Sequence, residues 1–400
     1  MQITTIGIDL AKNVFQLHGV DSKGRAVLRK RVVREKLLAL VANLPPCVIG
    51  MEACASAHHW AREMRKLGHE ARLINPKFVK AYVKSNKSDP NDAEGICEAV
   101  GRPSMRFVPV KTVGQQDLLA LHRVRAQLIK TRTALVNQMR GLLGERGVVV
   151  GKGVTRLRAA LPAILEDQDG RLGPLMRELI VEMSERLRLS DERIKRYDLK
   201  LGQLCAQDQR CQRLVAVEGI GALAATAMVG AVGDARQFRN GREMSAWLGL
   251  TPGHRKSGNR EVMLGISKRG DCYLRTLLIH GARAVVNVAE RRRDARSVWV
   301  SKIKDRHCAN VAAVALANKN ARIIWALLNR NDSYRPAAAA GAPAASGARL
   351  AAPRCARRGA PKTSSVTPLH GCARRNSSAE SATAPASGLK VRSRRGGGER

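Results

Sequence analysis

Four acidic residues and one serine carry the chemistry open to this sequence. Asp9 closes a β-branched run (QITTIGID, residues 2–9), and Glu52 follows a second apolar run at residues 47–51. Asp89 and Asp92 lie three apart in KSDPNDAEGICEAV, which puts both on one face of a helix starting there. Either pair alone also reads as ordinary strand-end and helix-start acids, with Asp89 as N-cap and Asp92 in the first turn. Four acids brought together would raise one another's pKa unless a divalent cation neutralised them. Oxygen-only ligands point to magnesium or manganese. Two such ions about 4 Å apart would stabilise the attacking and leaving oxygens of a phosphodiester. The serine, Ser257, sits between Lys256 and Gly258 in the stretch 242–280, REMSAWLGLTPGHRKSGNREVMLGISKRGDCYLRTLLIH. Taken alone, a serine in a flexible basic loop between helical segments is a solvated turn residue.

The elements that must position these residues follow from the apolar pattern. A strand over 2–9 is followed by Val14–Val20 and Arg25–Val33 at hairpin spacing, turning at residues 21–24. A helix over about 35–43, a strand at 47–51, a helix over about 56–67 and a strand at 70–75 come next. Three β segments and then alternating α and β predict an α/β sheet domain of ribonuclease H-like type. Asp9 and Glu52 then stand at the ends of strands that can be neighbours.

Composition limits the partners. The 400 residues allow two or three domains with sizeable cores. Lys and Arg number 71 against 33 Asp and Glu, a formal charge of +38 that calls for a polyanion, by default nucleic acid. A membrane surface is the weaker alternative: no apolar run approaches the roughly 20 residues of a span, and no signal-peptide pattern is present. Nine cysteines without a Cys-x-x-Cys pair argue against a zinc ribbon and for reduced thiols in a cytoplasm. An aromatic content of 3% argues against base-stacking platforms as the main binding mode.

The middle of the chain is expected to be helical. Leu121, Leu128, Leu135 and Leu142 recur every seventh residue with Val124 between, and Ile180, Leu187, Ile194 and Leu201 repeat the pattern with Met183, Tyr197 and Leu204. Thr131, Gln138 and Ser190 interrupt these seams. A coiled-coil hairpin within one chain and a dimerisation stalk both satisfy them. Further on, Gly219-Ile220-Gly221 resembles a helix-hairpin-helix turn whose backbone N–H groups could approach a phosphate, and it reads equally as a tight interhelical turn. Lys268, Arg269 and Arg275 supply cations that could hold a phosphate near Ser257. Residues 308–329 form a final apolar helix. From Pro336 the composition turns to Ala, Pro, Gly, Ser and Arg without periodicity, so residues 336–400 are expected to be a disordered basic tail.

Together these segments resemble a known family. IGIDLAKNVFQLHGVD, VIGMEACAS and KSDPNDAEGI are similar to the DEDD catalytic domain of the insertion-sequence 110 family of bacterial transposases. The stretch from VEGIGALAATAMVG through SKRGDCYLR is similar to that family's C-terminal transposase domain. The resemblance covers residues 1–335 and implies a division into 1–110, a RuvC-like DEDD domain; 113–206, a helical or coiled-coil region; and 207–335, a mainly α-helical, serine-containing domain. It implies Asp9, Glu52, Asp89 and Asp92 as metal ligands and Ser257, ahead of Ser267, as the nucleophile of a transient phosphoserine. It also implies double-stranded DNA as substrate, a structured guide RNA, a dimer or tetramer with shared active sites, and a bacterial, nucleoid-associated location. A serine hydroxyl needs activation, and a metal cluster from another domain would supply it. The rival reading is a metal-dependent RuvC-like nuclease or junction resolvase that uses water, with Ser257 structural. A silent nucleic-acid-binding protein fits the acid quartet less well.

Overall fold

A computed structural model describes residues 2–336, apart from 85–87, 167–169 and 259. The expected tail thus lies outside the described residues except for Pro336. The N-terminal part contains β1 (Thr5–Leu10), β2 (Val14–Val20), β3 (Ala26–Val33), α1 (Leu37–Ala42), β4 (Val48–Glu52), α2 (Ala57–Lys66), β5 (Glu70–Ile74), α3 (Pro76–Val79), α4 (Asp89–Val100) and β6 (Phe107–Val108). The strands form one mixed sheet in the order β3-β2-β1-β4-β5-β6. Only the β1–β4 and β4–β5 pairs are parallel; the other three are antiparallel. This mixed α/β order is compatible with the ribonuclease H-like expectation. The two-residue edge strand β6 was not foreseen, because so short a segment carries no alternation to detect.

Strand alternation gives the sheet two packed faces. Ile6, Ile8, Phe15, Leu17, Ile49, Met51 and Leu73 join Leu37, Trp60 and Met64 of α1 and α2 in one buried cluster. On the other face lies α4, with Ile96, Ala99 and Val100 buried against Ile74.

The middle is a long antiparallel helix pair, α5 (Val113–Gly144) and α7 (Pro174–Gln207), with α6 (Val154–Glu166) between them in sequence. A capping box at Thr112 and Gln115 starts α5. Arg125 pairs with Asp198 and Arg132 with Asp191, so α7 runs back along α5. Leu135, Met139 and Leu143 pack with Ile180, Met183 and Leu187, and with Leu157 and Leu161 of α6. The expected seam needs one correction. Val124 is exposed, and the inward position beside it belongs to Arg125. A pattern of apolar residues alone cannot reveal a seam position held by an ion-paired arginine.

The rest is helical but for one hairpin: α8 (Gln209–Val215), α9 (Ala222–Val232), α10 (Gly241–Trp247), β7 (Pro252–Ser257), β8 (Arg260–Ile266), α11 (Cys272–Val288), α12 (Ala295–Arg306) and α13 (Ala309–Arg330). Side chains of Asp208, Asn240, Asp271 and Asp294 cap α8, α10, α11 and α12 by accepting backbone N–H groups. The helices share one core that includes Leu214, Met228, Met244, Leu278, Leu316 and Ile324. His122 of α5 ties this core to the long helix pair: its ring nitrogens lie 3.0 Å from the Tyr273 hydroxyl and 3.0 Å from Thr226 Oγ1. Burial pushes its pKa down to about 4. By length and composition α13 could cross a bilayer, contrary to the expectation that no run comes close. Its face of Ala312, Leu316, Asn320, Ile324 and Leu327 is buried in the protein core. The cysteines among the described residues are all free thiols.

Candidate active site

The sheet and α4 bring the four acids to one end and one face. Ile6 and Ile8 of β1 point into the cluster with α1 and α2, so Gly7 and Asp9 project to the opposite face. In β4, Ile49 and Met51 do the same, leaving Gly50 and Glu52 beside them. The parallel register matches Gly7 with Gly50 and Ile8 with Met51. Asp9 and Glu52 each follow the last matched pair directly along their strands. That is also the face covered by α4. A Cβ on Gly7 would lie 2.2 Å from the Ala93 carbonyl oxygen and 2.4 Å from Cys97 N, so helix and strand meet backbone to backbone. Cys97 Sγ lies 3.8 Å from the Thr5 carbonyl oxygen. Rising numbers on α4 thus follow falling numbers on β1. Its first turn, with Asp89 and Asp92, points toward Asp9 and Glu52.

Two details of this site differ from expectation or add to it. Ser88, not Asp89, occupies the N-cap, and Asp89 is the first helical residue followed by Pro90. Both acids still face the positive end of the helix dipole. Gly7 and Gly50 were missed as determinants. The signal was present in the sequence, since each strand reads Gly-x-acid at its end (Gly7-Ile8-Asp9 and Gly50-Met51-Glu52).

The donor set fits a hard divalent cation in kind, being all carboxylate oxygen. Among the described residues, however, no three His, Cys, Asp or Glu side chains lie close enough together to hold an ion. Asp9, Glu52 and Asp92 are half-buried and Asp89 is exposed.

Ser257 sits in a different setting from the expected loop between helices. It is the last residue of β7, pairs with Arg260 of β8, and precedes Gly258, whose φ is +55°. The missed signal was a two-residue Gly-Asn connection between polar and apolar runs, which is a hairpin signature. Every described residue from His254 to Gly265 is exposed, Met263 by 67%. The hairpin base is firmly held. Ser267 N donates to the Thr251 carbonyl (2.8 Å) and Lys268 N to that of Gly249 (3.2 Å). A Cβ on Gly249 or Gly270 would strike the Arg269 or Trp247 carbonyl oxygen at 2.0 or 1.9 Å. Ser267 is thus a half-buried residue of the base, while Ser257 stands exposed at the tip.

The expected phosphate-binding residues divide. Lys256, Lys268 and Arg269 are exposed. Arg275 is only 9% exposed, and its Nη1 donates to the Leu248 carbonyl (3.0 Å) and that of Arg269 (3.4 Å). Its cation braces the end of α10 against the hairpin base, a correction to its reading as a phosphate ligand. Gly219, with φ +85°, packs against α11: a Cβ on Gly281 would lie 1.8 Å from its carbonyl oxygen. Gly221 is the exposed N-cap of α9 with open space around it.

Residues 6–146 match the family model described as a DEDD transposase, and residues 211–297 match that of the transposase IS116/IS110/IS902 family. A Pseudomonas aeruginosa protein described as a probable family 20 transposase is 51% identical over 337 residues, 84% of this chain and 100% of that protein. The Coxiella burnetii transposase for insertion sequence element IS1111A is 46% identical over 333 residues, covering 83% of this chain and 92% of its own. The Yersinia enterocolitica transposase for element IS1328 is 40% identical over 332 residues, 83% and 98% of the two chains. Membership in this family implies an enzyme that cleaves and rejoins DNA in dependence on a divalent metal. With a mixed α/β sheet in its N-terminal part, and relatives aligned over most of its length, the chain belongs to the IS116/IS110/IS902 family of insertion-sequence transposases.

Proposed function

We propose that this transposase cuts and rejoins DNA through a covalent phosphoserine formed at Ser257, with Asp9, Glu52, Asp89 and Asp92 as the residues that hold magnesium or manganese. The placement of all four acids on one face and at one end carries the reading. When bound, the cation supplies electrostatic polarisation of a phosphate and of a hydroxyl at the site. The residues of the chain do the rest. Ser257 Oγ bonds to phosphorus as the bond from phosphorus to the departing sugar oxygen breaks. The Oγ proton leaves to water, and the departing oxygen takes one from water. One phosphodiester replaces another, so the strand can later be resealed without an external energy source. The exposure of Ser257 at a hairpin tip, against the half-buried Ser267, supports this choice of nucleophile. Lys256, Lys268 and Arg269, with the N–H groups near Gly221, are the proposed contacts to the DNA backbone.

The proposed division is a catalytic part over 1–110, a helical part over 113–206 and a serine-bearing part over 207–335. Because the hairpin is exposed, its serine is free to meet carboxylates of a second copy, which supports a dimer or tetramer with shared sites. The charge of +38 supports DNA in the nucleoid together with a structured guide RNA.

The test is Ser257→Ala beside Asp9→Asn, using the DNA ends of the element. Ser257→Ala should bind DNA normally, form no covalent adduct and yield no recombinant, whereas Asp9→Asn should lose cleavage and its response to added magnesium. Cleavage by Ser257→Ala without an adduct in either protein would establish the metal-dependent nuclease or resolvase instead. An adduct lost only in Ser267→Ala would move the nucleophile to the hairpin base.

A further inference from the structure

The hairpin register sorts the cations around Ser257. Directly paired residues of an antiparallel ladder project to one face, and successive residues alternate between faces. Ser257 pairs with Arg260, Lys256 with Glu261, Arg255 with Val262 and His254 with Met263. Ser257, Arg255 and Arg260 therefore share one face. Lys256, the immediate chain neighbour of the serine, lies on the other face opposite Glu261. The Cβ of Arg260 stands about 5 Å from that of Ser257 across the ladder. Arg255 lies two residues back along the strand, about 7 Å away. All three are exposed.

We propose that Arg255 and Arg260 form a two-guanidinium clamp for the scissile phosphate, flanking the serine that attacks it. The proposal rests on Ser257 as nucleophile and adds the groups that hold its target. A guanidinium is planar, permanently charged and presents forked donors that match two phosphate oxygens. Arg260 across the ladder and Arg255 back along the strand border the serine on two adjacent edges, leaving Oγ open toward phosphorus. As Oγ bonds to phosphorus and the bond to the departing sugar oxygen breaks, negative charge builds on the non-bridging oxygens. The Oγ proton goes to water and the departing oxygen receives one from water, while both arginines keep theirs. Donors fixed where that charge develops stabilise the transition state more than the ground state. The Lys256 ammonium, on the far face, serves general backbone attraction.

The experiment uses the full chain with variants Arg255→Gln, Arg260→Gln and, as control, Lys256→Gln. Two quantities are measured: the rate of covalent adduct formation, and, in a Ser257→Ala background, the affinity for DNA carrying a neutral methylphosphonate at the scissile position. Each arginine variant should slow adduct formation by roughly 100-fold, as loss of one transition-state donor does. Lys256→Gln should change it only a few-fold. Affinity in the Ser257→Ala background should fall on methylphosphonate substitution, and adding either arginine change should reduce that sensitivity. Arg260→Lys should recover part of the rate. A larger loss with Lys256→Gln than with the arginines, or full methylphosphonate sensitivity in both arginine variants, overturns the clamp. If the adduct maps away from Ser257 while the arginine variants still reduce that sensitivity, the clamp stands and the nucleophile assignment fails.

Discussion

Replacing Gly7 by alanine perturbs the site without touching any acid. The new Cβ would sit 2.2 Å from the Ala93 carbonyl oxygen and 2.4 Å from Cys97 N. Both are backbone atoms of α4 that no rotamer change can move. Restoring van der Waals contact requires α4 to retreat by roughly 1 Å or more. That retreat loosens Ile96, Ala99 and Val100 from the buried layer they form with Ile74. Overpacking of this kind costs about 1–3 kcal/mol. The larger effect falls on chemistry: α4 carries Asp89 and Asp92, and a displacement of about 1 Å at a catalytic group can cost on the order of 100-fold in rate. Gly50→Ala should be milder, because its Cβ would meet the Val100 side chain at 2.8 Å, and a side chain can yield. Urea unfolding and the rate of end cleavage across a magnesium titration test both variants. Wild-type stability and cleavage in Gly7→Ala, or a greater loss in Gly50→Ala, would refute the claim that backbone contact with α4 sets the positions of the acids.

Two further predictions follow from residues away from the acids. Gly202 lies within α7 with open space where a Cβ would go, so Gly202→Ala should stabilise the protein by about 0.5–1 kcal/mol, read as a higher urea midpoint. His122 has a folded pKa of about 4, below its ordinary 6.5, so the unfolded chain binds its proton first. Its contribution to stability is complete above about pH 6.5, is lost as pH falls toward 4, and changes no further below that. The loss should be on the order of 3 kcal/mol in wild type and absent from His122→Gln, measured by unfolding at pH 7 and pH 4.5. Equal pH dependence of the two proteins would show that His122 does not titrate as its burial demands.

What could be read from the sequence depended on how local its cause was. Strands β1, β2 and β4 announced themselves through apolar runs rich in β-branched residues, and Asp9 and Glu52 could be placed because each closes such a run. The face they occupy was harder to read. It is set by Gly7 and Gly50 against α4, a contact between segments some 40 to 90 residues apart. The surroundings of Ser257 were misjudged because its basic residues masked a two-residue turn, and a hairpin exposed on both faces lacks the apolar alternation of a buried strand. Arg275 illustrates a different limit. An arginine that braces carbonyls and one that binds phosphate have the same local sequence, and only the approach of the Leu248 and Arg269 carbonyls to Arg275 distinguishes them.

The ion pairs of the long helix pair have a bearing on its mechanics. Arg125 and Arg132 are seven residues apart on α5, and so are their partners Asp198 and Asp191 on α7. In an antiparallel arrangement, sliding one helix by two turns can rejoin only one arginine to an aspartate and strands the other. Arg158 of α6 also reaches Asp191 and adds a third constraint. Arg125 or Arg132, both largely buried, costs roughly 1–3 kcal/mol when left without its carboxylate. The pair therefore acts as a vernier with a single coincidence. The apolar seam, repeating every seven residues, would tolerate the slip; the charges do not. A helix pair locked in this way resists sliding between its two helices along the length from α6 to the helical core.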